Sequence, residues 1–193
     1  LDMYIRADDS EQLMDFQELG LIELIVEGGI EGLEKLPEDI RNDKEAMAEA
    51  IENNVRKTIV DENPVNPKYY EKMSELLEEL IEQRRQKALD YQEYLQKIRE
   101  LAARVKYPSG VSGDQYPDSI DTQAKRSLYD NLGGDEVLAT KIDTAIRYTK
   151  KADWVGDRFK ERELANAVRE ETVGYEVDIA SVMNLIKEQA EYK

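Results

Sequence analysis

The stretch from Pro64 to Val105, PVNPKYYEKMSELLEELIEQRRQKALDYQEYLQKIRELAARV, constrains the fold more than any other part of the chain. Met73, Leu76, Leu77, Leu80 and Ile81 recur at i, i+3, i+4, i+7 and i+8, which is one apolar face of a helix. The start of that helix is marked too. Asn66 suits the N-cap, where its side-chain oxygen accepts from a free first-turn N–H. Pro67 suits the first helical position, where a missing N–H costs nothing. Val65 and Tyr70 stand at the two positions of a hydrophobic staple. Asp90 and Glu93 are spaced as a capping box for a second helix, with Leu89 and Tyr94 as its staple. This helix is expected to bury Tyr91, Tyr94, Leu95, Ile98, Leu101, Ala102 and Val105. A short connector between two amphipathic helices makes them antiparallel neighbours.

The remaining segments follow the same pattern. Residues 15–27 (DFQELGLIELIVE) predict a helix capped by Asp15 or Glu18, with Leu21, Leu24 and Ile25 inward and Gly28-Gly29 as its stop. Residues 32–39 read as a loop or single turn. Asn42 and Glu45 are spaced as a cap and its return partner, opening a helix to about Asp61 with Met47, Ala50, Ile51, Val55 and Ile59 buried. Glu62-Asn63-Pro64 breaks the chain. Lys106 to Asp118 carries two prolines, two glycines and two serines, the composition of a loop. Four more helices are expected. They cover 119–131, closed by Gly133-Gly134; Asp135–Tyr148, with Val137, Leu138, Ile142, Ala145 and Ile146; Asp157 to about Glu171, with Phe159, Leu164, Ala167 and Val168; and about Val177–Gln189, with Val182, Met183, Leu185 and Ile186. The expected fold class is all-α, an irregular multi-helix bundle of about 6–8 helices around a central antiparallel helical hairpin. Residues 1–14 read as the tail of a preceding domain. Residues 15–106 read as a helical subdomain containing the hairpin 64–105, 107–118 as a loop, and 119–193 as a C-terminal helical subdomain.

Composition narrows the chemistry. The 193 residues contain no cysteine and no histidine, which removes thiol chemistry, Ser-His catalysis and every His-containing metal site. Net charge is −16, and residues 1–63 hold 18 acidic side chains against 6 basic. Such a chain is a poor holder of nucleic acid by itself, because phosphate neutralisation dominates that affinity. No apolar run approaches the roughly 20 residues of a membrane span, and no signal peptide is visible, so the expected location is cytoplasmic, with no membrane partner. Leu1 is not a natural start, and the chain reads as a piece of something longer. There is no P-loop. Glu75, Glu78, Glu79 and Glu82 share a helix face, but a di-metal bundle would need histidines as well, and the cluster reads as solvated surface. Glu191-Tyr192-Lys193 matches the triplet of PD-(D/E)xK nucleases out of its strand context and reads as coincidence.

The basic clusters are the candidate contacts. Arg84 and Arg85, with Lys87, close one helix, where they either complement its C-terminal dipole or meet a DNA backbone or acidic partner. Arg147, Lys150 and Lys151 stand in the same position on another. Arg158, Lys160 and Arg162 instead open a helix, where the dipole disfavours them, which strengthens the case for an external partner. Trp154, the single tryptophan, either fills the core or, flanked by Asp153, Gly156 and Asp157 on a loop, anchors a partner.

These segments carry a resemblance. IRNDKEAMAEAIENNVRKTIVDENPVNPKYYEKMSELLEELIEQRR is similar to the C-terminal helical region of the R (restriction) subunit of type I restriction-modification enzymes. The likeness continues through ALDYQEYLQKI, YPDSIDTQAKRSLYDNLGGDEVLA and DWVGDRFKERELANAV to IASVMNLIKEQAEYK, covering nearly everything from about residue 15. In that family the nuclease and two RecA-like motor domains precede the helical region. None of their motifs matches a residue here, so the resemblance carries over no catalytic, cofactor-binding or metal-binding residue. It implies a non-catalytic assembly module that packs on its own motor domains and docks to the methyltransferase (M) subunit, touching DNA indirectly or weakly. ATP and Mg are implied for the full-length parent, an ATP-dependent translocase and type I site-specific deoxyribonuclease. An auxiliary module contacting the DNA backbone is the alternative.

Overall fold

The computed structural model describes residues 21–32, 43–108 and 116–193. Among these residues the fold is all-α, as expected. The helices are α1 (Leu21–Gly32), α2 (Lys44–Glu62), α3 (Pro67–Arg85), α4 (Tyr91–Lys106), α5 (Gln123–Asn131), α6 (Glu136–Thr149), α7 (Arg158–Glu171) and α8 (Ile179–Glu188), followed by a 3-10 turn, Ala190–Tyr192. The expected tail 1–14, the caps Asp15, Glu18 and Asn42, and much of the loops at 32–39 and 107–118 lie outside the described residues. No helix among the described residues is long and apolar enough to cross a membrane.

Local chemistry sets the helix ends. Asn66 Oδ1 accepts from the Tyr69 N–H at the start of α3, with Pro67 at the first helical position. Asp90, Thr122, Asp135, Asp157 and Asp178 each accept first-turn N–H groups of α4 to α8. Three boundaries differ from what the sequence pattern predicts. The helix expected from residue 119 begins at Gln123, behind its Thr122 cap. Asp43, one residue beyond Asn42, accepts from the N–H groups of Glu45 and Ala46 at the start of α2. Gly28-Gly29 does not end α1. Gly29 sits at φ 62°, ψ −155°, a conformation open essentially to glycine, and the helix kinks there and resumes to Gly32.

The described chain divides into two compact units. One takes residues 21–32, 43–59 and 73–108, the other 60–72 and 116–193. In the first, α1 runs antiparallel to α4. Lys106 pairs with Glu23, and the Tyr107 hydroxyl donates to Glu27. α2 runs antiparallel to α3, with Arg56 on Glu78 and Arg84 on Glu52. The expected stripes meet in its core, through Met47, Ile51, Val55 and Ile59, then Met73, Leu77, Leu80 and Ile81, then Tyr94, Ile98, Leu101 and Val105. Each such side chain contributes about 1.5–3 kcal/mol through its burial.

In the second unit α5 to α8 enclose a core of Leu128, Leu138, Ile142, Ile146, Leu164, Val168, Val182, Ile186, Trp154 and Tyr192, among others. Residues 60–72, which the sequence reading joins to the hairpin subdomain, group here because the Val65 carbonyl accepts from Ser127 Oγ (2.7 Å) and Gln189 Nε2 (2.8 Å). The spacing predicts Val137 and Phe159 inward, but they point outward, 60% and 82% exposed. Each precedes an inward residue, Ile142 or Leu164, by five positions, a rotation of about 140° around the helix.

Candidate interaction surface

Several of the sequence-named cations are spent inside the fold. Arg84 Nε donates to Glu52 Oε1 at 2.8 Å and Nη1 to Glu45 Oε1 at 2.6 Å, with its side chain 9% exposed. Its guanidinium lies 5.7 Å from the Tyr94 ring centre, and the Tyr94 hydroxyl donates to the same Glu52 oxygen. Burial alone would lower the Arg84 pKa, but its hydrogen bonds to Glu52 and Glu45 outweigh that and hold it above the ordinary value. Arg84 is therefore an internal tie between α2, α3 and α4, not an outward contact. Arg85 is exposed and has no partner among the described residues. The glutamates at 75, 78, 79 and 82 are all exposed, and Glu78 holds Arg56.

Trp154 is a core residue, which corrects its reading as a partner anchor. It is 1% exposed, and its Nε1–H donates to the Tyr192 carbonyl at 2.6 Å. This bond belongs to a clasp around the last residues. The Tyr192 hydroxyl donates to Asp143 (2.7 Å), and burial and then that carboxylate raise its pKa. Arg147 bridges Asp143 and Glu191, Glu191 accepts from the Ala124 N–H, and Lys150 donates to the Glu191 carbonyl. Glu191 thus has a structural use unrelated to metal binding. Lys151 pairs with Glu163.

At the start of α7 the predicted cluster splits. Lys160 turns back to donate to the carbonyls of Ala152 (2.8 Å) and Asp153 (3.4 Å), so it bolts the 150–157 loop instead of facing a partner. Arg158 and Arg162 stay exposed, with no partner among the described residues. They lie one turn apart on one face, beside Phe159 and the 45% exposed Val155. The acids at 157, 161 and 163 are engaged elsewhere. Asp157 caps the helix through the N–H groups of Phe159 and Lys160. Glu161 accepts from the Gly156 N–H and from Lys187, and Glu163 holds Lys151. The Gly156 and Lys187 bonds keep the Glu161 carboxyl below its ordinary pKa. Two unpaired arginines and a bare phenylalanine thus stand on the first turns of α7, next to a loop fixed by Trp154, Lys160 and Glu161. Aromatic and arginine side chains carry a large share of interface energy when a partner desolvates them.

The sequence pattern marks Arg158 and Arg162 as contacts but counts Phe159 with the core. The signal that would have corrected it is the Asp157 cap, which puts Phe159 in the first turn, out of step with Leu164 and Val168. Among the described residues, no three His, Cys, Asp or Glu side chains are grouped to hold a metal ion. Comparison with protein families, with curated proteins and with solved structures finds no match.

Proposed function

We propose that this chain is a non-catalytic helical assembly module of the R subunit of a type I restriction enzyme, working in the cytoplasm. It packs on the motor domains of its own subunit and docks to the methyltransferase subunit. ATP-dependent DNA translocation and cleavage belong to the full complex. The reading rests on the resembling segments, which run in order from about residue 15 to Lys193. The Val155–Arg158–Phe159–Arg162 surface supports a partner-facing role, since two unpaired guanidiniums and an exposed ring await a complementary face.

The test is a pull-down of purified M subunit and motor domains by this chain, wild type against Arg158→Ala/Phe159→Ala. Capture by the wild type and a loss of tenfold or more in affinity for the double variant is the expected result, about 1.4 kcal/mol or more. A chain that ignores both partners refutes the proposal. The second reading, contact with a DNA backbone, is favoured by Arg158 and Arg162 alone. It requires binding whose logarithm falls with log salt at a slope of about −0.9 per phosphate neutralised. Absence of DNA binding at low salt removes it.

A further inference from the structure

A second surface lies on the same unit, away from the arginines. Along the antiparallel pair α6 and α7 runs an open groove of about 790 Å³. Thr140, Thr144 and Ala145 of α6 and Ala167 of α7 line it with small side chains. Val137 and Tyr148, 60% and 92% exposed, stand at its two ends. They are three helical turns apart on α6, about 16 Å. Thr140 Oγ1 is buried there without a hydrogen-bond partner.

The groove is also charged. Glu136, Glu170 and Glu171 line it, against a single base, Lys141. Glu136 accepts only from the Ser119 hydroxyl, and Glu170 and Glu171 have no basic partner among the described residues. Neither of these two carboxylates caps a helix or holds a cation among the described residues.

We propose that the groove receives an amphipathic helix of a partner protein, with a narrow apolar stripe bordered by Lys or Arg. Small side chains let a helix axis approach to the 8–10 Å typical of packed helices. The length fits about three turns. The unpaired carboxylates select the flanking charge, because complementary rims give specificity and speed association. The same charge disfavours the other occupants. DNA is repelled, a second copy of this chain brings a net charge of −16, and residues 1–20 of the chain itself hold six acids to one base. The inference stands apart from the restriction-enzyme reading and uses none of its residues.

The probe is a fluorescein-labelled helical peptide of about 18 residues, long enough to hold a helix over the three turns, with a Leu/Ala stripe between lysines. A twin carries glutamates in place of the lysines. Anisotropy titrations with the full chain should show the lysine peptide binding at least tenfold more tightly than its twin. Tyr148→Ser and Glu170→Lys, both at exposed positions, should each weaken it about tenfold, roughly 1.4 kcal/mol. Phe159→Ala should leave it unchanged, which separates this groove from the surface of the proposed docking. Far-UV circular dichroism verifies that each variant remains folded. Equal affinities for the two peptides, no binding at low salt, or indifference to Tyr148 and Glu170 would overturn the proposal. So would a concentration-dependent dimer abolished by Glu170→Lys, which would hand the groove to a second copy.

Discussion

The Asp157 carboxylate decides where α7 begins, and so which way Arg158 and Phe159 face. Its bonds from the Lys160 and then the Phe159 N–H hold its pKa below the ordinary 3.8. Asp178 is lowered in the same sense by the Ser181 hydroxyl and then by the Ala180 and Ser181 N–H groups. For groups depressed in the folded state, the unfolded chain takes up protons first. The stability they contribute is complete above the unfolded values and is lost as pH falls through them towards the folded ones. Thermal midpoints should therefore drop from about pH 5 to pH 3. Asp157→Asn keeps the capping oxygen but removes the titration, so its curve should be shallower than the wild type over that window. Parallel curves would show that the cap is not linked to protons. These local effects were legible, since a cap lies within three residues of what it caps. The fates of Arg84 and Trp154 were not. Glu52 is 32 residues from Arg84, and the Tyr192 carbonyl is 38 from Trp154. No window of local pattern joins such pairs.

At the scale of the element, periodicity carried most of the reading. The stripes of α2, α3, α4 and α8 are buried much as their spacing predicts, because a long amphipathic helix has one orientation that hides its apolar residues. First turns were harder to read, as Val137 and Phe159 show. An apolar residue one position off the stripe fits the count yet points to water. Helix ends beyond the caps were also hidden. α3 closes with Lys87 in the left-handed region, φ 55°, its N–H on the Arg84 carbonyl and the Ala88 N–H on the Gln83 carbonyl. Glycine is the usual occupant of that position, and a side chain there costs about 1–2 kcal/mol. Lys87→Gly should stabilise the protein by up to about 1 kcal/mol after the entropy added to the unfolded chain is subtracted. Chemical denaturation measures it. A decrease in midpoint would mean that the Lys87 side chain does something between α3 and α4 that its exposed position does not reveal.

For the molecule as a whole, the all-helical class followed from the caps and stripes, while the grouping of residues 60–72 with α5 to α8 had no signal in composition. It depends on the Val65 carbonyl meeting Gln189 across 124 positions. That bond sets a schedule for synthesis. The chain leaves the ribosome from its N-terminal side, and residues 60–72 emerge long before the helix end that receives them. The second unit cannot close until Gln189, and then Tyr192 over Trp154, have cleared the exit tunnel. Its apolar stripes on α5 and α6 wait in the open meanwhile, a window in which a chaperone holds an advantage over self-folding. Nascent chains stalled so that α5 and α6 are outside the tunnel while Gln189 is still inside it should be cut readily by protease within α5 and α6. Chains released with the clasp complete should resist, as expected for contacts whose cost of loop closure precedes their reward.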